Sequence, residues 1–357
     1  MEGISSMDNY FKRVSAQTPT RFWINNVTLS EAGIAIEAGA TGCTQNPSYS
    51  WKILNGSEDQ GIAEKYLSKI LPQEPDDEEA LVKLQKELIS GVAKKFLPMH
   101  EASNGKLGFV SIQGTPVRED KETILRHARF NLDGAPPNMM AKIPVTEDGL
   151  DAISTLAAEG VPINATECMA VQQVLDVCDV YVEATKNLRH PAPLYFSLIT
   201  GIYDEYIQKH AKEHSIEIGR DVLWQAGLSV ARKVHAIIKE RAYPCGFTFG
   251  GARGMHHFTE MVGADACITI NWVGMADQLI KQDPPVVSRF HQPTPYSVED
   301  ELVRKLPDHR KAYFIDEIGS HEYEEYGPVE YFRELFVGAW EDALEYIAKK
   351  RRIFEVK

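Results

Sequence analysis

The sequence predicts an α/β protein, a (β/α)8 TIM barrel with added helices. Eight short apolar runs carry this expectation: 21–25, 41–44, 109–112, 139–143, 162–165, 194–199, 246–249 and 266–270. Most are separated by helix-like stretches, which favours a barrel over a doubly wound open sheet. The ends of the runs are unusually polar, as the C-terminal mouth of such a barrel is where binding groups collect. The Gly-rich phosphate turn of a dinucleotide fold is missing, since Gly250-Gly-Ala-Arg-Gly254 spaces its glycines differently.

The first strand ends at Asn25-Asn26 and the second at Thr44-Gln45-Asn46-Pro47. Two acidic-basic helical stretches, 59–71 and 76–96, follow and read as an insertion on the barrel rim. The third strand ends at Gln113. The fourth carries Lys142 near its end, and Pro144, which has no N–H to donate, is expected to break the ladder there. Thr146 is placed to cap a helix over 147–158, whose Leu150, Ile153, Leu156 and Ala157 share a face before Gly160 stops it. The fifth strand ends at Asn164 and Thr166, with Glu167 beside them at the mouth or opening the next helix, where the macrodipole favours a carboxylate. Helices are expected over 167–176 and 217–240, and Arg253 follows the seventh strand. The 283–320 segment, rich in Pro, His and charge, reads as a wrapping loop. A long amphipathic helix then covers 328–351, with Phe332, Leu335, Phe336 and Trp340 on its buried side. It packs on its own barrel or on a second copy, so a homo-oligomer stays open. One domain, 1–357, with a barrel core at about 20–281, is the expected organisation.

Composition excludes several function classes. The 357 residues carry 38 Lys+Arg against 51 Asp+Glu, a net charge of −13. That balance argues against nucleic acid and anionic membranes as partners. No apolar run approaches the roughly 18 residues of a transmembrane helix. The opening residues lack the apolar core of a signal peptide. The 5 cysteines are scattered, without a Cys-x-x-Cys pair, and read as reduced thiols of a cytoplasmic protein. No metal site and no cofactor are expected: His256 and His257 are adjacent, so on a helix they diverge by roughly 100°.

Lys142 is the chemical centre of this reading. An ammonium pointing into a barrel is costly unless paired or neutralised. Desolvation lowers its pKa and frees a nucleophilic amine, which Schiff-base enzymes need. Each surrounding amide or hydroxyl taken singly is a loop cap or turn former. Together they would ring one lysine with hydrogen-bonding groups, which suits a polyhydroxylated substrate.

The segments Phe22-Trp-Ile-Asn-Asn26, Gly42-Cys-Thr-Gln-Asn-Pro-Ser48, Asn104-Gly-Lys-Leu-Gly-Phe-Val-Ser-Ile-Gln113, Ala141-Lys-Ile-Pro-Val-Thr146 and Glu159-Gly-Val-Pro-Ile-Asn-Ala-Thr166 resemble the transaldolase family, most of all its longer bacterial members. Order and spacing agree from about residue 20 to 281. The resemblance implies class I aldolase chemistry on ketose and aldehyde substrates. Lys142 would form an imine with a ketose, the C3–C4 bond would break, and a dihydroxyacetone unit would pass to an acceptor aldehyde or hydrolyse off. Asn46 and Asn164 would hold hydroxyls, and Thr166 would position the water of imine chemistry. This chain also departs from the family pattern. Asn25 stands at the general-base aspartate, and an amide cannot take that proton. Gln113 stands at the third-strand glutamate, as in fructose-6-phosphate aldolases. Gly201 stands at one phosphate arginine, Arg253 at the other, and Ser197 is one residue from the aligned serine. Glu167 is the candidate replacement acid/base, and the missing arginine implies a substrate other than the usual sugar phosphates. Two other readings stay open: a simple aldolase releasing dihydroxyacetone, and a sugar-binding pseudoenzyme.

Overall fold

In the computed structural model, which describes residues 8–56 and 58–355, eight parallel strands close a barrel in chain order. They are β1 (Arg21–Asn25), β2 (Gly42–Thr44), β3 (Phe109–Gln113), β4 (Met139–Pro144), β5 (Ile163–Cys168), β6 (Leu194–Leu198), β7 (Gly246–Phe249) and β8 (Cys267–Asn271). The barrel expectation holds. Successive residues on a strand face opposite sides, and the core divides accordingly. Ile24, Cys43, Val110, Ile112, Ala141, Ile143, Ala165, Phe196 and Phe249 join the large apolar layer under the outer helices. Trp23, Phe109, Met140 and Cys267, with Tyr195 against them, form a separate small cluster inside the barrel. That cluster is an apolar floor. Glycines on the neighbouring strands make room for it: a Cβ at Gly42 would lie 2.4 Å from the Trp23 indole, and one at Gly246 would lie 2.4 Å from the Tyr195 ring.

The helices start where capping chemistry allows. Thr28 and Glu31 form a reciprocal capping box, Asp76 and Asp120 accept from the third residue on, and Thr146 accepts from Gly149 N. Several expectations need correction. β4 does not stop before Pro144, which pairs with Thr166; the lost N–H is tolerated and the ladder resumes as Val145 N donates to Thr166 O at 2.9 Å. Residues 167–176 do not form one helix, because β5 runs on to Cys168 and the helix starts at Val171. The 217–240 stretch breaks into Arg220–Leu223 and Ala226–Glu240, the second restarting where buried Asp204 accepts from Gly227 N at 2.6 Å. The rim helix expected at 76–96 extends over Asp77–Ala102. The 283–320 segment contains helices Tyr296–Lys305 and Pro307–Tyr313. The final helix, Gly327–Glu355, packs on its own chain against the helices Ser48–Asn55, Asp77–Ala102 and Thr200–Glu213. Phe332, Phe336 and Trp340 are buried there, but Leu335 is 39% exposed. Among the described residues no helix is long and apolar enough to cross a membrane.

The floor can be tested with two glycines. Gly42→Ala should lower unfolding stability in urea by about 1–3 kcal/mol, the usual cost of forcing volume into a packed core. Gly33→Ala, on an open helix position with nothing within 4 Å of its new Cβ, should instead be neutral or gain up to ~1 kcal/mol.

Candidate active site

A pocket of about 270 Å³ opens at the C-terminal ends of the strands. Asn25, Asn46, Lys142, Thr166, Ser197 and Arg253 all line it, so six of the nine candidate residues meet there. Gln113, Asn164 and Glu167 do not line it. Register explains part of this. Lys142 pairs laterally with Gln113 on β3 and Asn164 on β5, so the three share one level of the barrel wall.

The Lys142 side chain is buried but reaches the pocket, and its Nζ makes no hydrogen bond among the described residues. The Phe336 ring centroid lies 5.8 Å from it. Burial pulls the amine down to about 8, partly offset by the carboxylate of Glu167. The cause is desolvation between an apolar floor and an aromatic lid. An amine with that pKa is free of its proton far more often at neutral pH than a surface lysine.

The polar groups around it are held in fixed roles. Asn46 Oδ1 accepts from Asn26 Nδ2 at 2.8 Å and from Ser48 Oγ at 2.6 Å, which leaves its own NH2 for a ligand. Thr166 Oγ1 is buried and has no partner among the described residues. Asn164 Nδ2 donates to Ser197 Oγ at 2.8 Å, so Asn164 orients Ser197 from beneath the pocket surface. Asn25 accepts from Thr44 Oγ1 at 3.0 Å and donates to Asn271 Oδ1 at 2.9 Å. Both ends of that amide are committed, and it has no basic atom to offer.

Glu167 departs from its expected place. It is neither at the mouth nor on a helix: it is wholly buried in β5, at φ 68°, where the register shifts between Ala165 and Cys168. A bulge re-aims a side chain, and a non-glycine residue at positive φ costs of order 1–3 kcal/mol. Its Oε1 accepts from Gln113 Nε2 at 3.3 Å. Burial holds its carboxyl above the usual range, opposed first by Arg333 and then by Lys142.

The far end of the pocket is less polar. Ile199, Ile202, Phe332 and Leu335 line it with Arg253. Arg253 Nε donates to the Glu205 carboxylate, so the cation already has a counter-ion. Gly201 is closed off: a Cβ there would lie 2.3 Å from Gly251 O and 2.8 Å from Arg253 N. No larger side chain fits without moving that loop. His256 and His257, expected to diverge, sit with ring centroids 4.0 Å apart, and with Asp204 they bring ligand atoms within 4.8 Å. His257 Nδ1 accepts from Arg253 N at 3.3 Å, which puts the ring proton on Nε2 facing Asp204 Oδ2 at 3.1 Å. That tautomer anchors the Arg253 loop and leaves His257 no lone pair for a metal. Asn271, Thr269, Glu205, Glu119 and Arg333 went unnoticed in the sequence. Asn271 and Thr269 sit at the end of the eighth strand, where polar residues could have been counted; the charged ones look like ordinary solvated loop and helix residues.

The amine's burial carries a stability signature. A lowering from 10.5 to about 8 costs folding ~3 kcal/mol at neutral pH. Between those two values the unfolded chain binds the extra proton, so stability rises with pH and the cost fades. Lys142→Met should therefore be the more stable protein in urea at pH 7, by an amount of that order, and its advantage should shrink toward pH 10.

The sequence model of the transaldolase/fructose-6-phosphate aldolase family matches residues 22–298. The transaldolase of Saccharopolyspora erythraea is 28% identical over 225 residues, 61% of this chain and 59% of that protein. The transaldolase of Mycobacterium tuberculosis (strain ATCC 25618 / H37Rv) is 25% identical over 211 residues, 56% of this chain and 55% of its own length. That of Neisseria meningitidis serogroup C is 25% identical over 213 residues, 54% and 59% of the two chains. The chain thus spans little more than half the length of the curated relatives it matches. The chain belongs to the transaldolase/fructose-6-phosphate aldolase family.

Proposed function

We propose that this protein cleaves a ketose through an imine on Lys142 and transfers or releases the dihydroxyacetone unit. The observation that carries this reading is a buried, unpartnered amine, its pKa pulled down to about 8, opening into a pocket whose other polar groups are placed for hydroxyls. Nζ attacks the ketose carbonyl carbon. Thr166, with a free hydroxyl, holds the water that leaves on imine formation and returns on hydrolysis. Asn46 and Ser197 hold sugar hydroxyls, the latter oriented by Asn164. Asn25 does not serve as the base; Glu167, whose carboxylate acts on the amine, takes the acid/base role, oriented by the N–H it accepts from Gln113. The family supports a small sugar substrate. The apolar distal wall, the engaged Arg253 and the closed space at Gly201 favour a ketose without the usual phosphate contact. Five unpaired cysteines, four of them buried, fit a reducing, cytoplasmic setting.

Borohydride trapping tests the chemistry. Protein incubated with fructose 6-phosphate, 6-deoxy-6-sulfofructose, fructose or dihydroxyacetone should yield a reduced adduct mapping to Lys142 with at least one of them. Lys142→Ala should lose the adduct and all turnover; residual turnover would sink the imine mechanism. Dependence of turnover on an added aldehyde separates transfer from simple release.

Glu205 tests the distal end. Glu205→Gln should free Arg253 and lower KM for phosphorylated ketoses by about two- to fivefold, the range of an exposed ion pair, while KM for neutral ketoses stays put. An equal change for both would show that Arg253 does not meet the substrate.

A further inference from the structure

Lys142 also borders a second cavity, of about 10 Å³, together with Gln113 and Glu119. That is about the least room one water molecule needs. Glu119 comes from the loop between β3 and the helix Lys121–Leu132, and its side chain is 4% exposed. Neither of its carboxylate oxygens has a hydrogen-bond partner among the described residues, and Glu167 Oε2 shares that condition. Arg333, from the final helix, places Nη1 4.0 Å from Glu119 Oε2. Two buried, under-bonded carboxylates beside a single arginine do not both ionise readily. Burial first, and the charge of Glu167 second, drive the Glu119 carboxyl far above the usual range. Glu167 ionises more readily, because Arg333, Lys142 and Gln113 oppose its burial. Of the other titratable groups here, burial pushes the thiols of Cys43 and Cys168 up and keeps them neutral, and Glu79 lies 3.7 Å from His127. Arg118 is bonded outward to Glu78, burial draws His127 below its ordinary value, and Glu324 pairs with Arg333.

We propose that Glu119 and Glu167 hold one proton between them beside Lys142, that this proton goes to the carbinolamine hydroxyl, and that Arg333 balances the charge left behind. The inference rests on the imine reading above. Nζ bonds to the carbonyl carbon, and one nitrogen proton moves to the oxygen to give the neutral carbinolamine. The carboxyl proton then joins that hydroxyl, the carbon–oxygen bond breaks, water leaves, and a protonated imine remains. Before this step the cluster holds a neutral nitrogen, Arg333 and a singly charged pair. Afterwards it holds an iminium, Arg333 and two carboxylates. The sum over these groups is the same in both states, and Glu324, bonded to Arg333 from its more exposed side, keeps its charge throughout, so no new net charge is created in a buried site. Hydrolysis returns the proton. The loop carrying Glu119 and the final helix thereby become part of the catalytic apparatus, Arg333 as a positioning residue.

The test is the rate of borohydride-trappable imine formation against pH. Glu119→Gln matches the protonated acid in shape, so it should fold; the final yield on Lys142 should be unchanged, but formation should slow at least tenfold at pH 7. Arg333→Gln should raise the pH at which Glu167 takes up a proton, moving the acid limb of the profile up by about one unit, and Arg333→Lys should restore it. A Glu119→Gln rate equal to that of the unaltered protein, or an Arg333→Gln profile that superimposes, overturns the proposal while leaving the imine intact. If the unaltered protein forms no adduct, the imine reading falls instead. The infrared band of a buried protonated carboxyl then decides the shared proton alone: its loss in Glu119→Gln supports the pair, and its persistence overturns it.

Discussion

The mouth of this barrel depends on one constraint, the desolvation of the Lys142 amine. Below it lie Trp23, Phe109, Met140 and Tyr195, and Phe336 of the final helix lies above. Among the described residues, apolar groups flank the amine on both sides, the pocket is its one opening, and no acceptor on the protein satisfies it. A side chain in that condition costs stability, and the surrounding fold is built around keeping it there. Gly42 and Gly246 exist where they do because the floor aromatics need the space.

The second consequence concerns carboxylates. Both strand-end positions where the family resemblance would place an acid carry amides here. Asn25 is locked between Thr44 and Asn271, and Gln113 donates to Glu167. The buried carboxylates nearest to hand are instead on a strained bulge of β5 and on the loop after β3. Arg333 stands 4.0 Å from one of these carboxylates, Glu119, and the small cavity that Glu119 shares with Lys142 has room for one water. This rearrangement, together with the closed distal end at Gly201, distinguishes the site from a plain copy of the family pattern.

Much of this was legible in the sequence because strands and caps are local. Short apolar runs separated by helical patterns placed all eight strands to within a few residues, and Thr146 announced its helix. Lys142 stood out as a charge in an apolar run. What escaped detection was long-range or conformational. The positive φ at Glu167 has no signature in residue type, so its surroundings looked helical. The helices within 283–320 are short and interrupted by proline, which hides their period. Glu119 and Arg333 are more than 200 positions apart, and only the closed barrel with its final helix brings them together. Leu335 belongs to an apolar face by periodicity, yet it borders an open pocket.

Everything at this mouth turns on whether the Lys142 amine is desolvated and readily deprotonated. The direct measurement is its titration by NMR in protein labelled at the lysine side chains, with Lys142→Met identifying the resonance. Its midpoint should lie near 8, clearly apart from the other lysines. A midpoint among them, near the roughly 10.4 of a solvated lysine, would contradict it.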